Sequence, residues 1–443
     1  MKKSKSVAIR NLGCKVNEYE ADVLRQMLQD DGYEIVKFDD FADVYIVNTC
    51  SVTNMADKKS RQTLHRARKT NQNALVIAMG CYVQVNEEAA KVDDCIDILI
   101  GNNKKKEIID IIEKALAEKD IKDKTLNNTT ILDISTVKSY EEMKRDSTPE
   151  RTRANVKIQD GCNQFCTFCI IPYARGRVRS RKISDIRSEV EGLVNNGFKE
   201  IVLTGIHISS YGVDLEEKIS LIDVIKEIHC IDNLERIRIG SLEPRIITEE
   251  FVKELLKLDK VCPHFHLSLQ SGSDEVLKRM RRRYTTAEYF QKVQLLRANY
   301  ELPAITTDII VGFPMETDEE FEETLQFVRD IKFTETHVFK YSKRHGTKAS
   351  EMEGQINESQ KHSRSEILIA LTKEHASEYK ERYIGKNVEV LYEDTKEINN
   401  DIFQVGHTKE YIKVARKQNI TLENQIENGE ICAKLTEEYM EIY

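Results

Sequence analysis

No apolar run in the 443 residues approaches the roughly 20 residues that a bilayer-spanning helix needs. No H-E-x-x-H motif occurs among the ten histidines, which excludes that zinc-peptidase signature. There is no internal repeat and no tryptophan. Positive charge is not in excess either. The formal net charge is −8, so contact with nucleic acid would need a local basic patch. The opening MKKSKSVAIR is basic but lacks the apolar core of a signal peptide, and a cytoplasmic protein is expected. Thiols stay reduced there, so the ten cysteines are not read as a disulfide framework. Closely spaced ones point instead to a metal or cluster.

What is present alternates strands and helices. VAIRNLG, DVYIVNT, ALVIAMG and CIDILIG are strand-like, with helical patterns over 17–30, 54–69 and 104–117 and near Glu87. Gly32 ends the first helix. This rhythm predicts a doubly wound parallel sheet. Residues 118–150, rich in Lys, Asp, Asn and Thr, read as a linker. A second alternation starts at Asn155, with VKIQ, EIVLTG, RIRIGS, HFHLSLQ, ITTDIIVG and THVFKYS as strands. Ser184 is expected to cap a helix closing at Gly197, and Thr285/Glu288 and Thr317/Glu320 form capping boxes. Six βα units are too few for a closed eight-stranded barrel, so a partial (β/α)6 barrel is expected. From about Tyr383, short strands and polar turns predict a small β-barrel. The whole is an α/β chain with expected boundaries at 1–117, 118–150, 151–380 and 381–443.

Six cysteines fall into two sets. Cys14, Cys50 and Cys81 each sit just past the carboxyl end of a predicted parallel strand, the edge where open α/β sheets bind ligands. A lone cysteine at such a place is ordinarily a small buried hydrophobe; three at one topological position are evenly balanced between packing and ligation. Cys162, Cys166 and Cys169 form C-x3-C-x2-C in GCNQFCTFCIIPYARG. Structural zinc needs a fourth protein ligand, and the segment offers no fourth cysteine or histidine. An iron–sulfur cubane on three thiolates leaves one iron open for a substrate or cofactor.

C-x3-C-x2-C after the first strand of a partial βα barrel resembles the radical S-adenosylmethionine superfamily. VKIQDGCNQFCTFCIIPYARGRVRSR resembles its methylthiotransferase branch, and Cys14, Cys50 and Cys81 match that branch's auxiliary-cluster ligands. The resemblance spans the chain: methylthiotransferase N-terminal domain, radical barrel and TRAM module. DGCNQFC and IIPYARGRVRSR are most similar to enzymes acting on N6-threonylcarbamoyladenosine in tRNA. Enzymes for isopentenyladenosine tRNA and for an aspartate of a ribosomal protein are close cousins. The resemblance implies one 4Fe–4S cluster on Cys162, Cys166 and Cys169, whose open iron chelates S-adenosylmethionine. It implies a second 4Fe–4S cluster on Cys14, Cys50 and Cys81 that delivers sulfur. Reductive cleavage would give a 5′-deoxyadenosyl radical that takes hydrogen from carbon 2 of the adenine next to the anticodon. A second S-adenosylmethionine would supply the methyl group. The implied partners are tRNA, an external electron donor and a sulfur source, with no membrane. No side-chain acid or base is assigned.

At strand ends, Thr204 and Gly205 (LTGI), Ser268 and Gln270 (LSLQSG), and Ile310 and Gly312 (IIVGFP) are the expected cofactor contacts. Glycines there also serve turns. The basic run Arg175, Arg177, Arg179, Arg181 and Lys182 follows the cysteine loop and is expected to meet the anionic RNA backbone or a cofactor carboxylate. Arg281, Arg282 and Arg283 close a helix, where favourable charge at its C-terminus is the simpler reading. His264 and His266 read as structural, and Cys95, Cys230, Cys262 and Cys432 as packing. The C-terminal module has 13 acidic and 8 basic residues from 381 to 443, which disfavours phosphate contact, although Lys409, Lys413, Arg416 and Lys417 would allow a local basic face. Two other classes stay open at this point: a two-cluster electron carrier and a zinc-stabilised RNA-binding protein.

Overall fold

The computed structural model describes residues 5–119, 128–145 and 152–443. Its first sheet holds β1 (Ser6–Asn11), β2 (Glu34–Val36), β3 (Val44–Thr49), β4 (Leu75–Gly80), β5 (Ile98–Ile100) and β6 (Asn128–Thr130). They run parallel in the order β2-β1-β3-β4-β5-β6. Both faces are covered, which is why VYIVNT and LVIAMG are buried at every position. Ile46 and Ile77 pack on one face against Tyr19 and Leu24 of the helix Lys15–Asp30, with Ile108 and Ile112. Tyr45, Val47 and Val76 pack on the other against Leu64 and Ala67 of the helix Asn54–Thr70. The expected doubly wound sheet is present. One strand of it, β6, lies in the stretch read as linker; residues 120–127 and 146–150 of that stretch lie outside the described residues.

The central unit contains β7 (Arg153–Asp160), β8 (Arg179–Ser180), β9 (Glu200–Gly205), β10 (Arg236–Ile239), β11 (His264–His266), β12 (Ala304–Val311) and β13 (Glu335–Lys340). Six of these make the partial barrel, in the order β7-β9-β10-β11-β12-β13, all parallel. Isolated bridges, Ile237 to Val261 and Leu242 to Leu267, join β10 to the chain around β11. The six strands match the six βα units of the sequence. Both capping boxes form. Ser184, however, lies inside the helix Ile183–Asn195, which starts after Lys182 with no side-chain cap.

The 24-residue helix Glu358–Glu381 leads to the C-terminal unit, a closed barrel of β14 (Asn387–Ile398), β15 (Asp401–Thr408), β16 (Lys413–Lys417), β17 (Ile426–Lys434) and β18 (Met440–Ile442). It is docked rather than tethered. Arg236 donates to the His407 carbonyl at 3.0 Å, and Arg238 to those of Thr408 and Lys409 at 3.2 and 2.9 Å. Tyr411 stacks between His264 and His407, with centroids at 4.8 and 4.7 Å. The basic face considered for this unit does not form. Lys409, Lys413, Arg416 and Lys417 each pair with an acid: Glu389, Glu438, Glu427 and Asp401. Among the described residues, no helix is long and apolar enough to cross a membrane.

Candidate active site

The loop after β7 is built to present three sulfurs. Gly161 has φ +71°, and a Cβ there would stand 1.8 Å from the Arg177 carbonyl oxygen. The loop closes on itself where the Cys162 N–H donates to the Gly176 carbonyl at 3.0 Å. The Cys169 N–H turns back to the Cys166 carbonyl, also at 3.0 Å. Burial pushes the Cys162 thiol up to about 11 and the Cys169 thiol to about 12, with the neighbouring Cys166 adding to each. Arg282 donates to Cys166 Sγ at 3.5 Å and to the Ser268 carbonyl at 3.0 Å, while its guanidinium lies over Tyr284. Arg282, read from the sequence as a helix-end charge, lies beyond the helix Asp274–Arg279 and turns to a cysteine sulfur, a contact visible only in three dimensions.

The second set assembles from three adjacent strands. Cys14, Cys50 and Cys81 follow β1, β3 and β4, which are neighbours in the sheet and so stand about 4.8 Å apart. Cys50 and Cys81 are buried; Cys14 opens onto solvent at one edge. Enclosure still raises the Cys14 thiol, against the opposing pull of Arg175. Burial lifts Cys50 to about 11, with Cys81 contributing. Asn17 donates to the Thr49 carbonyl at 2.9 Å and its own carbonyl accepts from Asn48 at 2.9 Å, tying β3 to the helix that begins after Cys14.

The two sets are joined through buried polar groups. Asn102 donates to Cys81 Sγ at 3.5 Å and to the Ala174 carbonyl at 2.8 Å, in the short helix that follows Cys169. Arg175 donates to Asn17 Oδ1 at 2.5 Å, to Glu20 at 2.7 Å and to Asp160 at 3.2 Å. Lys105 and Lys157 also hold Glu20. Burial alone would raise the Glu20 carboxyl, but Arg175, Lys105 and Lys157 hold it well below its ordinary range.

This network corrects the reading of the basic run. Arg175, Arg179 and Arg181 are fully buried. Arg181 pairs with Glu189 and Glu142, and Arg179 lies 3.7 Å from Asp160. Their charge is spent inside the protein, so they do not face RNA. Arg177 is exposed, with its guanidinium 4.5 Å from the centre of the Phe165 ring.

A cleft of about 780 Å³ is lined by residues of β9 to β13, with the N-terminal unit, the helix Glu358–Glu381 and the C-terminal barrel closing around it. Cys14 and Lys15 form one wall; Thr204, Gly205 and Arg238 belong to it as well. His266, Asp308 and His337 line it from β11, β12 and β13. His266 Nε2 lies 3.2 Å from Asp308, its Nδ1 lies 3.1 Å from Thr306, and its ring stacks at 6.0 Å on His337. His264 is bonded to Thr306 and Arg238, and it lines the cleft together with His266. Of the other expected cofactor contacts, the Ser268 carbonyl reaches the cysteine loop through Arg282. Ile310 shares an apolar cluster with Phe168 of that loop. Gln270, at φ +76°, bridges β12 through its backbone. Gly312 differs: at φ +71° it makes a tight turn against Lys361 of an outer helix, away from the cleft.

Two family models match the chain: the radical SAM superfamily over residues 156–328, and the uncharacterized protein family UPF0004 over residues 6–101. The threonylcarbamoyladenosine tRNA methylthiotransferase MtaB of Bacillus subtilis (strain 168) is 41% identical over 93% of this chain and 90% of its own. The chain belongs to the radical S-adenosylmethionine methylthiotransferases of the MtaB type. A second relative of these methylthiotransferases, the tRNA-2-methylthio-N(6)-dimethylallyladenosine synthase of Clostridium tetani (strain Massachusetts / E88), is 34% identical over 93% of this chain and 91% of its own. Among solved structures, the cobalamin-binding radical S-adenosylmethionine methyltransferase TsrM from Kitasatospora setae superposes with a TM-score of 0.56 at 17% identity, covering 76% of this chain and 75% of that one. That likeness concerns the fold.

As a radical S-adenosylmethionine enzyme, this methylthiotransferase uses S-adenosylmethionine and a 4Fe–4S cluster. The donor set fits such a group. Among the described residues, the His/Cys/Asp/Glu groups with ligand atoms all within 4.8 Å of one another are His65–Asp93–Cys95 and His266–Asp308–His337. Neither cysteine trio is so tight. In each trio at least one pair of sulfurs therefore stands more than 4.8 Å apart, wider than the roughly 3.8 Å edge of a zinc–thiolate tetrahedron built on bonds of about 2.3 Å.

Proposed function

We propose that this protein acts in the cytoplasm on tRNA, inserting a methylthio group at carbon 2 of N6-threonylcarbamoyladenosine next to the anticodon. The observation that carries this reading is the joining of two cysteine trios by Asn102 and Arg175, with Cys14 of one trio opening onto the cleft. An electron carrier has no need of a nucleoside-sized cleft; a sulfur-inserting enzyme does. Cys162, Cys166 and Cys169 would hold the cluster that works with S-adenosylmethionine, and Cys14, Cys50 and Cys81 a second 4Fe–4S cluster. When bound, these groups supply the radical and sulfur chemistry that acid–base side chains do not.

The chain's own residues orient and enclose. Arg282 fixes Cys166 against the end of β11. Asn102 and Arg175 hold the two cysteine regions at one spacing, as a reaction that passes between two centres requires. Cys14 brings the second set to the cleft wall. The tRNA, an external electron donor and a sulfur source complete the reaction. The test is mass analysis of tRNA nucleosides from cells lacking the gene, with anaerobic repair by the purified protein. Loss and recovery of the methylthio-threonylcarbamoyl nucleoside support the reading. An unchanged nucleoside, or recovery of the methylthio-dimethylallyl form, overturns it.

A further inference from the structure

The relatives of this chain carry names with two different adenosine substituents, threonylcarbamoyl and dimethylallyl. The first ends in an amino acid with a free carboxylate; the second is a hydrocarbon. A site that accepts the first needs a positive group placed where that carboxylate falls, and a site for the second does not.

Four cations line the cleft: Lys15, Arg238, Lys380 and Lys413. Three are already engaged. Arg238 pairs with Glu200 at 2.7 Å, Lys380 donates to the Glu437 carbonyl at 2.7 Å, and Lys413 pairs with Glu438 at 2.5 Å. Lys15 is exposed and, among the described residues, has neither an ion pair nor a side-chain hydrogen bond. It follows Cys14 directly in the sequence and shares with it one wall of the cleft. The cleft's carboxylates lie elsewhere: Asp308 is held by His266, and Glu335, Glu410, Glu437 and Glu438 belong to β13 and the C-terminal barrel.

We infer that Lys15 is the specificity residue that binds the carboxylate of the threonylcarbamoyl substituent, an inference resting on the function proposed above. The chemistry of the substrate places the two groups together. The substituent is joined to N6 through a urea, and the outer urea N–H closes a six-membered hydrogen-bonded ring onto N1. The amino-acid end then lies along the edge of the base that also carries carbon 2. Presenting carbon 2 to the Cys14 wall brings the carboxylate to the same wall. A charge-assisted hydrogen bond in such a cleft is worth about 10- to 100-fold in binding, and a dimethylallyl group gains nothing from it.

The test compares full-length, anaerobically reconstituted wild type, Lys15→Met and Lys15→Arg. Each is measured for affinity to anticodon stem–loop RNA carrying threonylcarbamoyladenosine and to the same RNA carrying plain adenosine. Iron content is matched first, so that cluster loss is separated from substrate recognition. Wild type is expected to prefer the modified RNA, Lys15→Met to lose that preference by about 10- to 100-fold, and Lys15→Arg to keep most of it. A Lys15→Met protein that keeps the preference, or a Lys15→Arg protein that loses it as fully as Lys15→Met, overturns the role of Lys15 and leaves the proposed reaction standing. A wild type that neither prefers nor methylthiolates the modified RNA overturns both.

Discussion

Arg175 donates to both carboxylate oxygens of Glu20, at 2.7 and 3.1 Å, with neither side chain reaching solvent. Glu20 belongs to the helix that begins after Cys14, and Arg175 to the one that follows Cys169. The pair therefore clamps the N-terminal sheet to the barrel at the point where the two cysteine sets approach. Glu20 also answers Lys105 and Lys157. Glu20→Gln would leave buried Arg175 and Lys157 with Asp160 as their paired acid, and would take from buried Lys105 the carboxylate it pairs with. Breaking a buried pair from one side costs about 3–5 kcal/mol. Urea unfolding of the cluster-free chain near neutral pH measures this; a loss below about 1 kcal/mol would show that the clamp is not structural.

The Gly161 turn gives a sharper contrast. Gly161→Ala forces a Cβ against the Arg177 carbonyl oxygen, whereas Gly32, at φ +87°, has no atom within 4 Å of the same added carbon. Both substitutions strain a left-handed backbone by about 1 kcal/mol, but Gly161→Ala must also move the loop that carries Cys162. Iron analysis should find Gly161→Ala depleted by about half, the share of one of two cubanes, and Gly32→Ala at the wild-type level.

Arg282 is expected to tune the chemistry rather than hold the fold. Partners of ligand atoms commonly carry 10- to 100-fold in activity or metal affinity. Arg282→Met removes the donor to Cys166 Sγ, and reductive cleavage of S-adenosylmethionine should slow by that factor. Comparing cleavage rate with iron content separates a slower cluster from a missing one. Wild-type rates in Arg282→Met would dismiss the contact.

The dock of the C-terminal barrel has a pH signature. Glu200 is wholly buried; burial pushes its carboxyl up, but Arg238 outweighs this and brings it from 4.5 down to about 2. A carboxyl lowered in the folded state stabilises fully above its unfolded value, and that contribution fades as pH falls from about 4.5 towards 2. The shift corresponds to roughly 3 kcal/mol at most. The stability gap between wild type and Glu200→Gln should be widest near neutral pH and narrow by pH 3. A gap independent of pH would refute the assignment.

The cysteines were legible because their signals are local. C-x3-C-x2-C lies in one loop, and the end of a parallel strand is readable from a buried run such as VYIVNT. The arginines were not. A run of basic residues shows its charge in the sequence but not its partners: Glu20 lies 155 residues from Arg175, and Glu142 lies 39 from Arg181. His266, Asp308 and His337 were hidden for a similar reason. They lie on three separate strands, and alternation along a strand does not reveal which face a partial barrel turns inward. RIRI at β10 hid the dock of the C-terminal barrel, because buried arginines that reach carbonyls of another unit look like ordinary surface residues of an alternating strand.

The most direct test of the account counts clusters. Oxygen-protected, full-length protein should contain about eight iron and eight sulfide per chain, and each cysteine set should hold half of them (roughly four irons per cubane). Cys162→Ala and Cys14→Ala should each remove about four irons, and replacing both cysteines together should remove nearly all. A wild type with one cubane, or a Cys14→Ala variant with undiminished iron, would contradict the two-centre reading.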